Sequence, residues 1–196
     1  MTEERRILLV RHPETEANVD GRFIGRGDAP FTERGEAQAR LLVDAIVAFG
    51  PDAVWTSPLR RTRVVADAAA EQLGSTPVVD ARFSELDFGT AEGLTYEQTV
   101  ESGVTFDFAS EDAPVAPGGE SRRDIYERVA EALADIVRPG ERVAIVTHGG
   151  VFRSAITHLL GLPLSAIWAF HIHNGSIADI RVVDGHGMLE EFRTLG

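Results

Sequence analysis

Two apolar runs in this chain end abruptly in basic residues. "ILLV" (Ile7–Val10) leads straight into Arg11-His12, and "RVAIVT" (Arg142–Thr147) leads into His148-Gly149-Gly150. Short runs rich in Ile, Val and Leu read as strands buried on both faces. A charge left there without a partner is costly. Each basic end therefore belongs at the rim of a sheet, facing something anionic.

Helical patterns fill the intervals between these runs. Thr32 can cap a helix whose apolar positions Ala37, Leu41, Ala45 and Ala48 recur at helical spacing. A strand is expected over Asp52–Ser57. A helix follows with Ser57 at the N-cap, Pro58 at the first position, and Leu59, Thr62, Ala66, Ala69 and Leu73 facing inward. Thr76–Val79 suits a short edge strand. Pro114, Pro117, Gly118 and Gly119 mark a loop, and a helix begins near Ser121 with Ile125, Val129, Leu133 and Ile136 on one face. A helix also follows His148. "SIADIRVV", "DGHG" and "MLEEFRTL" read as a closing hairpin.

Strands alternating with helices predict an α/β fold. The expected form is a three-layer α/β/α sandwich on a mixed, mainly parallel sheet. With 196 residues, 43% hydrophobic and 26% charged, the expected organisation is one domain over 1–196. Residues 89–119 would form an excursion covering the site. No apolar run reaches the roughly 20 residues of a membrane span. "MTEERR" lacks the pattern of a secretory leader, so the expected location is the cytoplasm, away from membranes. There is no cysteine, which removes disulfides, thiolate metal ligands and a thiol nucleophile. A net charge of −12 argues against nucleic acid as a partner. The sequence leaves the oligomeric state open.

All 19 basic residues are Arg. Guanidinium forks match the oxygens of phosphate and carboxylate and stay charged at working pH. In open α/β sheets ligands bind outside the carboxyl ends of the strands, where helix N-termini favour phosphate. The strand ends here would gather Arg11, His12, Arg61 and His148. Such a cationic set repels metal ions but suits a phosphoryl group. One neutral imidazole can attack phosphorus while arginines balance the equatorial oxygens. The nearby arginines keep that imidazole unprotonated. A carboxylic acid in a loop over the site would protonate the leaving oxygen.

Taken together the motifs resemble the histidine phosphatase superfamily, the phosphoglycerate mutase-like proteins. The leading Arg-His-Gly-Glu-Thr of that family, with its Asn, is similar to Arg11-His12-Pro13-Glu14-Thr15 with Asn18. "GRGDAPFTERGEAQA" resembles its turn before the first long helix. "SPLRRT" puts Arg61 in its arginine position, and "FSELDFGTAEG" puts Glu85 in the place of its acid. "PGGES" (Pro117–Ser121) and "VTHGG" (Val146–Gly150) complete the set in the family's order.

The resemblance implies that His12 becomes phosphohistidine. It implies that Arg11, Arg61 and His148 hold the phosphoryl oxygens, with Asn18 and the Gly149 amide assisting. Glu85 would protonate the leaving oxygen and then activate water, with no metal and no cofactor. The implied reaction is hydrolysis of a small phosphorylated metabolite, releasing inorganic phosphate. α-Ribazole phosphate, a sugar phosphate or a phosphoglycerate are candidate substrates. A phosphoglycerate mutase is the alternative, and a non-catalytic phospholigand binder ranks behind both. "SPLRRT" and the short excursion resemble the phosphatase branch.

Two residues depart from the pattern. Pro13 replaces Gly and removes an amide donor, and Ala91 replaces a bulky residue and is expected to reshape the pocket wall. Phe106 and Phe108 are candidates for lining the pocket, His171 and His173 are expected to be an ordinary polar strand face, and Trp55 and Trp168 are expected in the core.

Overall fold

The computed structural model describes residues 4–107, 110–136 and 140–196. The apolar runs form strands: β1 (Glu4–Arg11), β2 (Ala53–Thr56), β3 (Val78–Val79), β4 (Arg142–Thr147), β5 (Ser176–Val183) and β6 (His186–Thr194). They make one six-stranded sheet in the order β3-β2-β4-β1-β5-β6. β1, β2, β3 and β4 pair in parallel. β5 runs antiparallel to β1, and β6 returns antiparallel to β5. The sheet is mixed and mainly parallel, as the strand–helix alternation predicts.

The helices are α1 (Glu16–Val19), α2 (Glu33–Phe49), α3 (Arg60–Gln72), α4 (Tyr96–Glu101), α5 (Arg122–Ile136) and α6 (Gly149–Leu159). Alternate residues of the central strands point to opposite faces, and each face has its own core. Ile7, Leu9, Val143 and Ile145 meet α5 and α6 on one side. Leu8, Val10, Ala144 and Val146 meet α2 and α3 on the other. Each fully buried Ile or Leu adds about 1.5–3 kcal/mol of transfer free energy. The result is the expected three-layer α/β/α arrangement. Among the described residues no helix is long and apolar enough to cross a membrane.

Two local expectations fail. α2 keeps its Thr32 cap, whose side chain accepts from the Gly35 amide. Its buried face is Gln38, Leu42, Val43 and Ile46, whereas Leu41 is 44% exposed. The helix is apolar on two adjacent stripes, and docking against β1 selects the one a residue further on. α3 begins at Arg60 with Leu59 at the N-cap, not Ser57. The Ser57 hydroxyl still accepts from the Leu59 amide, at 3.2 Å, but it is shared with the site described below.

The excursion after Gly89 opens with a 3₁₀ turn (Gly89–Ala91) and continues through α4. It is pinned at both ends. Phe23 exchanges backbone hydrogen bonds with Gly93 and Leu94, and the Glu120 amide donates to the Asp87 carbonyl. Phe108 lies outside the described residues.

Candidate active site

The carboxyl ends of β1, β2 and β4 meet at one cavity of about 280 Å³. Arg11, His12, Asn18, Arg61, Glu85 and Gly149 all line it. Burial is deep for a set this polar: His12, Arg61 and Glu85 are each at least nine-tenths covered.

His12 follows β1, and its amide still bonds the Thr147 carbonyl as a continuation of the sheet. Its Nδ1 lies 2.7 Å from the Pro13 carbonyl oxygen. A carbonyl can only accept, so Nδ1 carries the hydrogen and Nε2 keeps its lone pair. Burial, then the charges of Arg61 and Arg11, push the imidazole pKa well below its ordinary value. The ring is thus neutral and oriented. Pro13 removes an amide donor, but its own carbonyl aims the histidine.

Arg11 donates from Nη1 to the Ile172 carbonyl at 2.6 Å, and its buried Nε has no hydrogen-bond partner among the described residues. Desolvation lowers its pKa to about 10, which still leaves it charged at neutral pH. Arg61 is held from the opposite side. Its guanidinium donates to the carbonyls of Ile24, Gly25 and Gly27 at 3.2, 2.9 and 2.7 Å. Glu92 fixes that loop in turn by accepting from the Gly25 and Gly27 amides. The "AEG" of the acid motif therefore acts on the arginine of another motif.

Asn18 is set by its amide oxygen, which accepts from the Thr15 amide, the Thr15 hydroxyl and Asn174 Nδ2 at 3.1, 2.9 and 3.0 Å. Its NH₂ group remains for the cavity. Asn174, which sequence reasoning passed over, also donates to the His12 carbonyl at 3.3 Å. Its signal is the "HNG" turn, where Gly175 has φ +75° and its amide bonds the His12 carbonyl.

Glu85 sits against the start of α6. Oε1 accepts from the Leu86 and Gly150 amides at 2.9 and 3.0 Å, while Oε2 has only a longer contact of 3.2 Å to the Gly150 amide. Oε2 is thus the less engaged of the two oxygens. A methyl group at Gly150 would lie 2.5 Å from Oε1, so glycine makes room for the acid. Arg128 donates to the Glu85 carbonyl and to the Glu120 carboxylate, which also accepts from the Asp87 amide. "PGGES" is in this way tied to the acid's loop.

His148 takes a different place from the others. It is fully buried and absent from the cavity wall, with its ring centroid 5.3 Å from that of His12. Arg61 Nε donates to its Nδ1 at 3.1 Å, so its hydrogen is on Nε2, 2.8 Å from the Ser57 hydroxyl. Burial and then Arg61 push its pKa well below the ordinary value. In this state His148 orients Arg61.

The sequence model of the histidine phosphatase superfamily, branch 1, matches residues 7–194. This chain belongs to the histidine phosphatase superfamily. Within it, a relative described as a putative phosphoserine phosphatase 2, from Hydrogenobacter thermophilus, is 33% identical over 184 residues, 91% of this chain and 90% of the relative. A probable phosphoglycerate mutase GpmB of Enterobacter sp. (strain 638) is 33% identical over 180 residues, 89% and 83% of the two chains. Among solved structures, a mycobacterial glucosyl-3-phosphoglycerate phosphatase complexed with VO₃ superposes with a TM-score of 0.80. It is 29% identical over 97% of this chain and 100% of that one.

Outside the polar floor, the wall of this histidine phosphatase is largely apolar, with Phe23, Phe88, Phe106 and Ile125 among its residues. Phe106 comes from the excursion and stacks on Tyr96 at 5.2 Å. Ala91 does not reshape this wall: it is fully buried in its 3₁₀ turn and does not reach the cavity. Trp55 packs against the core, but Trp168 is 55% exposed at the cavity's edge, beside Arg153. His171 and His173 lie outside this cavity, exposed, with ring centroids 4.3 Å apart. Among the described residues no group of three or more potential metal ligands includes them.

Proposed function

We propose that the chain is a metal-independent phosphomonoester hydrolase that works through a phosphohistidine. Nε2 of His12 attacks phosphorus in line, forming the N–P bond as the ester P–O bond breaks. Glu85 gives its proton to the departing oxygen. Arg11 and Arg61 donate to the equatorial oxygens as charge moves, with the Asn18 NH₂ and the Gly149 amide beside them. Glu85, now a carboxylate, takes a proton from water, whose oxygen attacks phosphorus. The N–P bond breaks and inorganic phosphate leaves. The observation that carries this reading is the Nδ1–H of His12 on the Pro13 carbonyl, which leaves a neutral Nε2 lone pair in an arginine-flanked cavity.

His148 enters as the residue that orients Arg61. A phosphoryl group drawing Arg61 Nε away would free its Nδ1. The substrate is a small phosphorylated metabolite, and the relatives' names point to phosphorylated hydroxy or amino acids. No step uses a metal, because the cations that would meet a divalent ion at the phosphoryl end are guanidiniums.

A panel of phosphorylated metabolites assayed with the native protein and His12→Ala tests the reading. Loss on the order of several powers of ten in kcat is expected on removal of a covalent nucleophile. Activity that survives His12→Ala refutes it. The relative described as a mutase supports a second reading, phosphoryl transfer between hydroxyls. Isomerisation of 3-phosphoglycerate without release of phosphate would favour that one.

A further inference from the structure

Arg153 is one of five arginines in the wall of the same cavity, one turn into α6, and the phosphoryl chemistry above does not use it. Its Nε is buried without a hydrogen-bond partner among the described residues. Among the described residues its one hydrogen bond is a long contact, 3.3 Å, from Nη1 to the Gly149 carbonyl. Among the described residues no carboxylate forms an ion pair with it. The other arginines of the wall outside the phosphoryl end are engaged: Arg22 by Asp20 and the Gly93 carbonyl, Arg122 by the Ser110 carbonyl. An unsatisfied buried donor of this kind calls for an explanation.

Trp168 holds the group in place, with the guanidinium carbon 5.3 Å from the indole centroid. The position is also informative. A methyl group at Gly149 would lie 3.3 Å from the Arg11 guanidinium carbon and 3.4 Å from Arg153 Nη1. Arg153 thus stands next to a phosphoryl-binding arginine, on the Trp168 side. Like charges so close repel, and Arg153 contributes to depressing the Arg11 pKa. A phosphoryl group would engage Arg11 and Arg61, and Arg153 is then left beside Glu85, whose charge acts on it without an ion pair among the described residues. Beyond it the wall is apolar, with Leu86 and Ile125.

We propose that Arg153 is the specificity residue for a carboxylate on the leaving group. The preferred substrates are then phosphomonoesters that carry a carboxylate a few atoms from the ester oxygen. The planar fork of a guanidinium held against an aromatic face matches a carboxylate edge-on. This inference rests on the phosphomonoesterase reading for its substrate class, but the subsite can be tested without turnover.

The test compares D-3-phosphoglycerate with glycerol 3-phosphate, which replaces the carboxylate by a neutral hydroxymethyl group. The native protein is expected to prefer the carboxylate in kcat/KM by at least about 10-fold, and Arg153→Gln to erase about 10- to 100-fold of that preference. Arg153→Lys should keep part of it, and thermal melts confirm that the variants fold. Equal losses on both substrates, or no native preference, overturn the proposal. A stronger preference for propane-1,3-diol bisphosphate assigns Arg153 to a second phosphate and overturns the carboxylate. If none of these esters nor p-nitrophenyl phosphate is hydrolysed, the hydrolase reading fails by itself. Calorimetric titration with the first two ligands then decides the subsite: a carboxylate advantage lost in Arg153→Gln supports it, and equal affinities overturn it.

Discussion

Replacing Gly150 with alanine should separate the acid from the rest of the machinery. The added methyl would lie 2.5 Å from Glu85 Oε1 and 2.9 Å from Ile125 Cδ1. Ordinary carbon–oxygen contact is roughly 3.3–3.6 Å, so the carboxylate must retreat by about 1 Å. That movement also breaks its bonds to the Gly150 amide, now 3.0 and 3.2 Å. A displacement of that size can cost about 100-fold, within the range of about 10²–10⁴ ascribed to general acid catalysis. The fold should suffer little. Gly150 lies in α6 with no positive φ, so alanine favours the helix by about 0.5–1 kcal/mol, which offsets the crowding of Ile125. The assay compares kcat/KM, which reports phosphoryl transfer to His12 and not the later attack of water, for alkyl phosphates and p-nitrophenyl phosphate. Its leaving group departs readily without a proton, so loss should be about 100-fold on the alkyl esters and much smaller on p-nitrophenyl phosphate. Equal losses on both, or none, would refute the assignment of Glu85 as the acid.

Glu92→Ala removes the acceptor for the Gly25 and Gly27 amides and loosens the carbonyls that hold Arg61. Stability should fall by about 1–3 kcal/mol, and KM should rise more than kcat falls; an unchanged KM would sink this account of Arg61. Acid stability follows from His12 and His148, whose pKa values are both depressed in the folded state. Below about pH 6.5 the unfolded chain binds protons that these rings refuse, so stability is full above that pH and lost as pH falls. The slope approaches about 1.4 kcal/mol per pH unit for each histidine, with a smaller share from half-buried His158. Denaturant titrations between pH 6.5 and 4.5 should show this slope reduced in His148→Asn; a flat profile would contradict it.

Strands were legible because Ile7–Val10 and Arg142–Thr147 are too apolar to lie anywhere but in the sheet's centre. The α2 face was not, because Leu41 and Leu42 compete for one side and only the position of β1 decides between them. Ser57 reads locally as a helix cap, but a contact with His148, 91 residues away, claims its hydroxyl. Arg11, His12, Arg61 and Gly149 came together because each ends a strand or begins a helix on the same side of the sheet, and Glu85 joins them from the loop before Gly89. His148 reads as a phosphate ligand from its place beside the glycines, whereas its two ring nitrogens are taken by Arg61 and Ser57. Arg153 carries no motif signal of its own, and Asn174 has only the "HNG" turn. Their roles exist only where the turn before β5 and the start of α6 meet the ends of β1 and β4.

Covalent transfer of phosphorus to His12 is the central proposal. Rapid quench of the protein with a ³²P-labelled phosphomonoester, followed by peptide mapping, tests it directly. An acid-labile, base-stable label on the peptide containing His12, formed within the first turnover and absent from His12→Ala, is the predicted result. Steady phosphate release with no labelled protein at any time point would contradict it.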